Sequence, residues 1–265
     1  MRDMGETLRD TFDRVFPNRR RSARRGRIER TTVNNRLISV YVPPGYDDRP
    51  HQRYPVLYMQ DGQNLFEAAR AFAGTAWRLD AAADRIIGHR KARPMIIAAI
   101  DHAGSSRIDE YTPTRDESRN AGGGAQAYAQ FVIGQIKPAV ELRYRTTGEA
   151  ATGGASLGGL VALYLALRRP DIFSAAAVMS PSVWWNGQSS LQFVDAFEGK
   201  QPRLWVDIGG CEGDEALAGA RALRDRLRAK GWPDLHYEED RKADHSERAW
   251  ARRVPRVLEF LFPAV

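Results

Sequence analysis

The sequence predicts an α/β fold: a mostly parallel central sheet of about eight strands with helices on both faces. Three observations carry this reading. Short β-rich runs alternate along the chain with amphipathic helical segments, the pattern of parallel strands joined by crossover helices. Met95–Ile100 is almost wholly apolar, as a strand covered on both faces must be. Two β-rich runs precede the alternation, so the sheet opens with an antiparallel pair.

The elements follow in order. Residues 1–26 read as a short amphipathic helix carrying Leu8, Phe12, Val15 and Phe16, then a basic linker. Arg27–Val33 and Leu37–Val42 are the two early strands. Asn34-Asn35 between them tolerates positive φ and reads as a hairpin turn. Pro43-Pro44-Gly45 stops the second strand. Tyr54–Met59 is a buried strand that runs into Gln60-Asp61-Gly62-Gln63, and Trp77–Ile87 is helical. The segment from Asp101 to about Gly124 is charged, rich in Gly and Ser, and too long for a plain connector. It reads equally as a substrate-facing element or a surface excursion. Ala125–Tyr144 is a helix, Ala150–Ser156 a short strand and Leu157–Arg168 a helix. Then come strands Ala175–Met179 and Leu204–Ile208, the charged amphipathic helix Glu215–Lys230, strand Leu235–Arg241 and a closing helix Glu247–Leu261. No repeat, low-complexity tract or composition break marks a second globular unit. The expected division is a basic arm, 1–26, and one α/β domain, 27–265.

Bulk properties narrow the function classes. The apolar share, 43%, is ordinary for a globular chain. No stretch approaches the roughly 18 apolar residues that a membrane span needs. The charged N-terminus has no apolar core behind it, so a signal peptide is not expected. Cys211, the single cysteine, cannot form an internal disulfide and suits a reducing compartment. A cytoplasmic location is therefore expected, with Cys211 as a small buried filler. Of the +7 net charge, most lies in residues 1–36, which hold 11 arginines and five acidic residues. Such a cluster can grip nucleic acid or an anionic surface. No aromatic residues interleave the arginines, so a solvated arm without a nucleic-acid partner is the better reading.

The chemistry centres on Gly154-Ala155-Ser156-Leu157-Gly158. A serine flanked at two residues by glycines, between strand and helix, is the nucleophile-elbow pattern. Hydrolysis by serine also requires a base, an acid that orients it, and donors for an oxyanion. Among five histidines, only His245 lies after Ser156 in a loop that leaves the last strand and enters the last helix. His102 lies just past a strand, close to where a site would form. The acid belongs between Ser156 and His245, after a strand. Glu212 and the alternative Asp214 both qualify; Glu212 is preferred because Asp214 suits the start of the following helix. The oxyanion donors expected are the backbone N–H groups of Leu157 and Gln63. Trp184 and Trp185 are candidates for substrate contact or core, one of each being expected, and Asp61 and His102 are further substrate-side candidates. No histidine pair has metal-ligand spacing, so neither metal nor cofactor is expected.

Four segments carry a family resemblance: PVLYMQDGQNLF (55–66), GGASLGGLVALYLALRRPDIF (153–173), MSPSVWW (179–185) and DHSERAWARRVPRVLEFLF (244–262). In these the chain resembles the putative-esterase family of α/β-hydrolases, which includes esterase D-type, enterochelin and feruloyl esterases and mycolyltransferases. The resemblance runs from Val33 to Pro263 and leaves out the arginine-rich arm. It implies an α/β-hydrolase fold and hydrolysis of a small-molecule or carbohydrate carboxylic ester through Ser156, Glu212 and His245. An acyltransferase with the same three residues is the alternative. A nucleic-acid or anionic-surface binding module acting through the arm is the remote one. Nothing in the pattern sets an oligomeric state.

Overall fold

A computed structural model describes residues 25–264. The helix expected near Leu8 and nearly all of the basic linker lie outside the described residues. Eight strands make one sheet: β1 (Arg27–Val33), β2 (Arg36–Val42), β3 (Tyr54–Met59), β4 (Ile96–Ile100), β5 (Thr146–Ala155), β6 (Phe173–Met179), β7 (Arg203–Gly209) and β8 (Leu235–Asp240). Their spatial order is β1-β2-β4-β3-β5-β6-β7-β8. The pairs β1/β2 and β2/β4 are antiparallel and all others parallel. The hairpin turns at Asn34 and Asn35, whose φ values of 45° and 61° are those of a two-residue turn that matches strand twist.

Five longer helices cover the sheet: α1 (Leu79–Gly88), α2 (125–143), α3 (Leu157–Arg168), α4 (Asp214–Ala229) and α5 (Glu247–Leu261). Strand alternation divides the core between two faces. In β3, Tyr54, Val56 and Tyr58 join the cluster beneath α2, α3 and α4, while Leu57 and Met59 join the one beneath α1 and α5. α3 is buried along nearly its whole length, from Leu157 to Leu167, which is why its sequence is apolar on every side. At roughly 25 cal/mol per Å² of buried apolar surface, these two layers are the main stabilising term of the fold.

Two elements differ in extent from the sequence reading. β5 begins at Thr146 rather than Ala150, because Thr146 pairs with Tyr54 although the polar run Thr146-Thr147-Gly148-Glu149 carries no apolar alternation. α2 contains a π-helical turn over Val132–Ile136. The long segment 101–124 is folded: it holds a 3-10 turn, the short helix Arg107–Tyr111 and a ribbon pairing Arg115–Asp116 with Ala121–Gly122. Cys211 corrects an expectation, since it is exposed rather than buried. The β7–α4 turn directs Glu212 inward, and Cys211, the preceding residue, faces out. Among the described residues, no helix is long and apolar enough to cross a membrane.

Candidate active site

The carboxyl ends of β3, β5, β7 and β8 converge on one edge of the sheet, where open α/β sheets place their ligands. Ser156 sits at the tip of β5 with φ 60° and ψ −126°. That backbone conformation costs about 1–3 kcal/mol for a non-glycine residue. It is held from both sides: Ser156 N–H donates to Met179 O at 3.0 Å, and Ser182 N–H donates to Ser156 O at 3.2 Å. The sharp turn brings Gly154 against Gly158. A Cβ on Gly154 would lie 2.7 Å from the Gly158 backbone, and one on Gly158 would lie 2.9 Å from Asp61 Oδ2. The Gly154 position therefore requires glycine for close backbone approach, whereas a side chain at Gly158 would displace the Asp61 carboxylate.

Three side chains line up from this turn. His245 Nε2 lies 3.0 Å from Ser156 Oγ. His245 Nδ1 lies 2.6 Å from Glu212 Oε2. The imidazole comes from the loop between β8 and α5 and is about half exposed; Glu212 comes from the β7–α4 loop and its side chain is fully buried. Ser246 caps α5 by accepting from Ala249 N–H, so His245 stands just outside the helix and leans over the sheet edge. Trp250, one turn into α5, meets the imidazole edge-to-face with centroids 4.9 Å apart.

Glu212 is surrounded by donors. Its Oε1 accepts from Ser180 Oγ–H at 2.6 Å and from Gly209 N–H at 2.7 Å. Burial pushes the Glu212 carboxyl up, but the bonds from His245, Ser180 and Gly209 outweigh it and hold the group below its ordinary value. Asp214 opens α4, is exposed, and has no such set of partners among the described residues.

A cavity of about 340 Å³ opens beside Ser156, lined by Asp61, Gln63, Asn64, Phe72, Trp77, His102, Arg107, Ala155, Glu247 and Trp250. A second, of about 430 Å³, lies on the His245 side and shares Phe72, Glu247 and Trp250. Gln63 belongs to a one-turn 3-10 helix just past β3, entered through Asp61 at φ 55°. Leu157 N–H is the first of α3 and so has no intrahelical acceptor. Asp61 is buried and grips Arg107 in a fork, with Nε–Oδ1 at 2.7 Å and Nη2–Oδ2 at 2.8 Å. Burial pulls the Arg107 guanidinium down, yet the bonds and charge of Asp61 more than offset this and hold it above its ordinary value.

Glu247 accepts from Asn64 Nδ2 at 3.1 Å and also from Trp77 Nε1. Burial pushes its carboxyl up to about 7, and the nearby Asp61 charge adds to that.

The other residues singled out from the sequence lie as follows. His102 lines the Ser156 cavity, with its Nδ1 accepting from Gly104 N–H at 2.9 Å. Trp184 and Trp185 line neither cavity beside the Ser156–His245 pair. Trp185 is buried and donates through Nε1 to Thr114 O, and Trp184 is partly exposed beneath the Arg119 guanidinium. Sequence reasoning did not single out Arg107, Glu247, Phe72, Trp77, Ser180 or Arg253. Only Glu247 carried a local signal, being two residues from His245 at a helix start.

Comparison with known proteins gives a consistent picture. A family model described as "Putative esterase" matches residues 30–261. An uncharacterized protein, YbbA of Bacillus subtilis, is 24% identical over 255 residues, covering 90% of this chain and 97% of its own length. The siderophore triacetylfusarinine C esterase of Aspergillus fumigatus is 31% identical over 194 residues, covering 66% of this chain and 63% of that protein. Among solved structures, the siderophore hydrolase EstB of Aspergillus nidulans matches with a TM-score of 0.69 at 26% identity over 90% of this chain and 94% of its own. An IroE-like serine hydrolase of Shewanella oneidensis has the same fold, with a TM-score of 0.70 at 20% identity over 89% of this chain and 79% of its own.

Proposed function

Since the chain belongs to this esterase family, with an α/β-hydrolase fold, and is a serine esterase that hydrolyses carboxylic esters, we propose that it acts through an acyl-enzyme formed on Ser156. The observation that carries this is the unbroken line from Ser156 Oγ to His245 Nε2 at 3.0 Å and from His245 Nδ1 to Glu212 Oε2 at 2.6 Å. His245 takes the Ser156 proton as Oγ attacks the ester carbonyl. The N–H groups of Leu157 and Gln63 receive the developing oxyanion. His245 then gives the proton to the departing alkoxide, and water repeats the sequence in reverse to release the acid. Glu212 holds the imidazole in the tautomer with its proton on Nδ1 and stabilises the imidazolium that forms.

Glu212 is the better acid than Asp214 because it alone meets His245. The substrate in this reading is a small-molecule ester whose acyl part enters the cavity walled by Phe72, Trp77 and Trp250. Relatives named for siderophore esters support that class. In this reading the catalytic domain is 27–265, preceded in sequence by the basic arm 1–26. Arg27 begins the sheet, and Gly26 N–H is tied to Asp84 Oδ1 at 2.8 Å.

Ser156→Ala tests the reading. Turnover of a nitrophenyl ester should fall at least about a thousandfold while the thermal midpoint barely moves. Parent-like turnover in that variant would overturn it.

A further inference from the structure

Behind the Glu212 carboxylate lies a fully buried polar cluster that the hydrolytic steps above do not use. Arg253 of α5 and Asp207 of β7 are both wholly inaccessible, with Nη1 2.8 Å from Oδ1. This is a contact of charges rather than an aligned hydrogen bond, and Arg253 Nη1 and Nε have no hydrogen-bond partner among the described residues. The other Asp207 oxygen accepts from Trp205 Nε1 at 2.7 Å. Arg253 Nη2 donates to Ser180 Oγ at 3.0 Å, and Trp250 Nε1 donates to the same oxygen at 3.0 Å. Ser180 itself has φ 38° and is pinned by its N–H to Asp207 Oδ1 at 3.1 Å.

A hydroxyl has one proton and two lone pairs. Arg253 and Trp250 are donor-only groups, and together they occupy both lone pairs of Ser180 Oγ. The proton is left one acceptor, Glu212 Oε1, at 2.6 Å. That oxygen also takes the Gly209 N–H and faces the Arg253 Nη2 at 3.8 Å. Glu212 Oε2 is then the oxygen left for His245 Nδ1.

We propose that Ser180 and Arg253 are positioning residues for the reaction: they lock the rotation and ionisation of Glu212 so that its Oε2 alone meets the imidazole. Arg253 orients the Ser180 hydroxyl, and the hydroxyl orients the carboxylate. The inference rests on the Ser156–His245–Glu212 reading. The charged groups facing Glu212 are His245 from the β8–α5 loop and Arg253 from α5. Asp207 of β7 lies beyond Arg253, and Glu238 of β8 acts on Asp207 in turn.

The sign of the pH effect follows from charge. Removing a cation or a donor beside the Glu212–His245 pair makes the pair easier to protonate. The acid limb of kcat/KM should therefore move to higher pH. Four variants test this on the full chain with a nitrophenyl ester: Ser180→Ala, Arg253→Met, Arg253→Lys and Glu212→Gln. Ser180→Ala and Arg253→Met should lower kcat about ten- to a hundredfold, the usual loss when an outer hydrogen-bond partner is removed, with KM little changed. Ser180→Ala, which leaves the Arg253–Asp207 pair in place, should shift the acid limb upward by about half a pH unit or more. Arg253→Lys, which keeps the charge, should recover part of the kcat lost in Arg253→Met. Ser180→Ala keeps the buried ion pair and answers the question if Arg253→Met does not fold. Loss of thermal stability with an unmoved acid limb and parent-like kcat would overturn the inference, provided Glu212→Gln is inactive. An active Glu212→Gln would instead overturn the triad reading beneath it.

Discussion

Two glutamates flank the same histidine and are driven in opposite directions. Glu212 approaches His245 from the β7–α4 loop, and Glu247 follows it by two residues at the start of α5. Burial raises both carboxyls, so burial is not what separates them. Glu212 is held below its ordinary value by a hydroxyl, a backbone N–H and the imidazole, with the Arg253 guanidinium behind it. Glu247 receives Trp77 and Asn64 but faces the Asp61 charge, and rises to about 7. Asp61 has its compensating cation in Arg107, which leaves Glu247 without an ion pair of its own among the described residues. The number and charge of the donors decides which glutamate stays an anion. An anion is what an imidazole needs behind it.

The sharpest way to break this contrast is Glu212→Gln. The amide cannot stabilise an imidazolium, and turnover should fall about 10³–10⁴-fold, read from single-substrate kinetics on a nitrophenyl ester. A loss under tenfold would mean that the two glutamates do not differ in role.

The next test lies in stability against pH. The folded-state value of Glu247, about 7, exceeds its ordinary 4.5, so the folded protein binds this proton more tightly than the unfolded chain. The contribution is complete below about pH 4.5 and is lost as pH rises through about 7. Glu247→Gln should flatten that loss, by about 1–3 kcal/mol between pH 5 and pH 8, in denaturant titrations at both pH values. A parent-like slope would remove Glu247 from the comparison. Glu212 has the reverse sign: its contribution is present above pH 4.5 and is lost on acidification through its lowered value.

A smaller effect sharpens the cause. Asp61→Asn withdraws the charge that helps to raise Glu247, so the pH at which stability falls should drop by about half a unit. No change would leave burial as the sole cause. The smallest effect is expected at the other acid after β7. Asp214→Ala should leave turnover within about twofold and cost no more than about 1 kcal/mol, the scale of an acidic residue in the first turn of a helix. A large loss of turnover there would return Asp214 to candidacy as the acid.

How much of this was legible follows the range of each interaction. The strand alternation, the Asn34-Asn35 turn, the amphipathic α4 and the Gly-Ala-Ser-Leu-Gly elbow are written within windows of a few residues, where periodicity and backbone sterics act. The early part of β5 escaped because Thr146–Glu149 has no apolar alternation and is a strand only through its neighbour. Chain order reduced the histidines to His245 but left Glu212 and Asp214 both open. Two residues apart where β7 turns into α4, they differ in which way the turn points them.

The sequence by itself determined the layered α/β architecture, the sharp turn that presents Ser156 and the strand ends that carry the other polar groups. Tertiary structure alone decided that Asp61 is spent on Arg107, that Phe72 and Glu247 wall both cavities, and that Ser180 and Arg253 stand behind Glu212. The physical reason is that secondary structure is a local average over many weak preferences. A buried polar pair is a single contact between residues scores of positions apart, and its worth appears only when solvent is excluded from both partners at once.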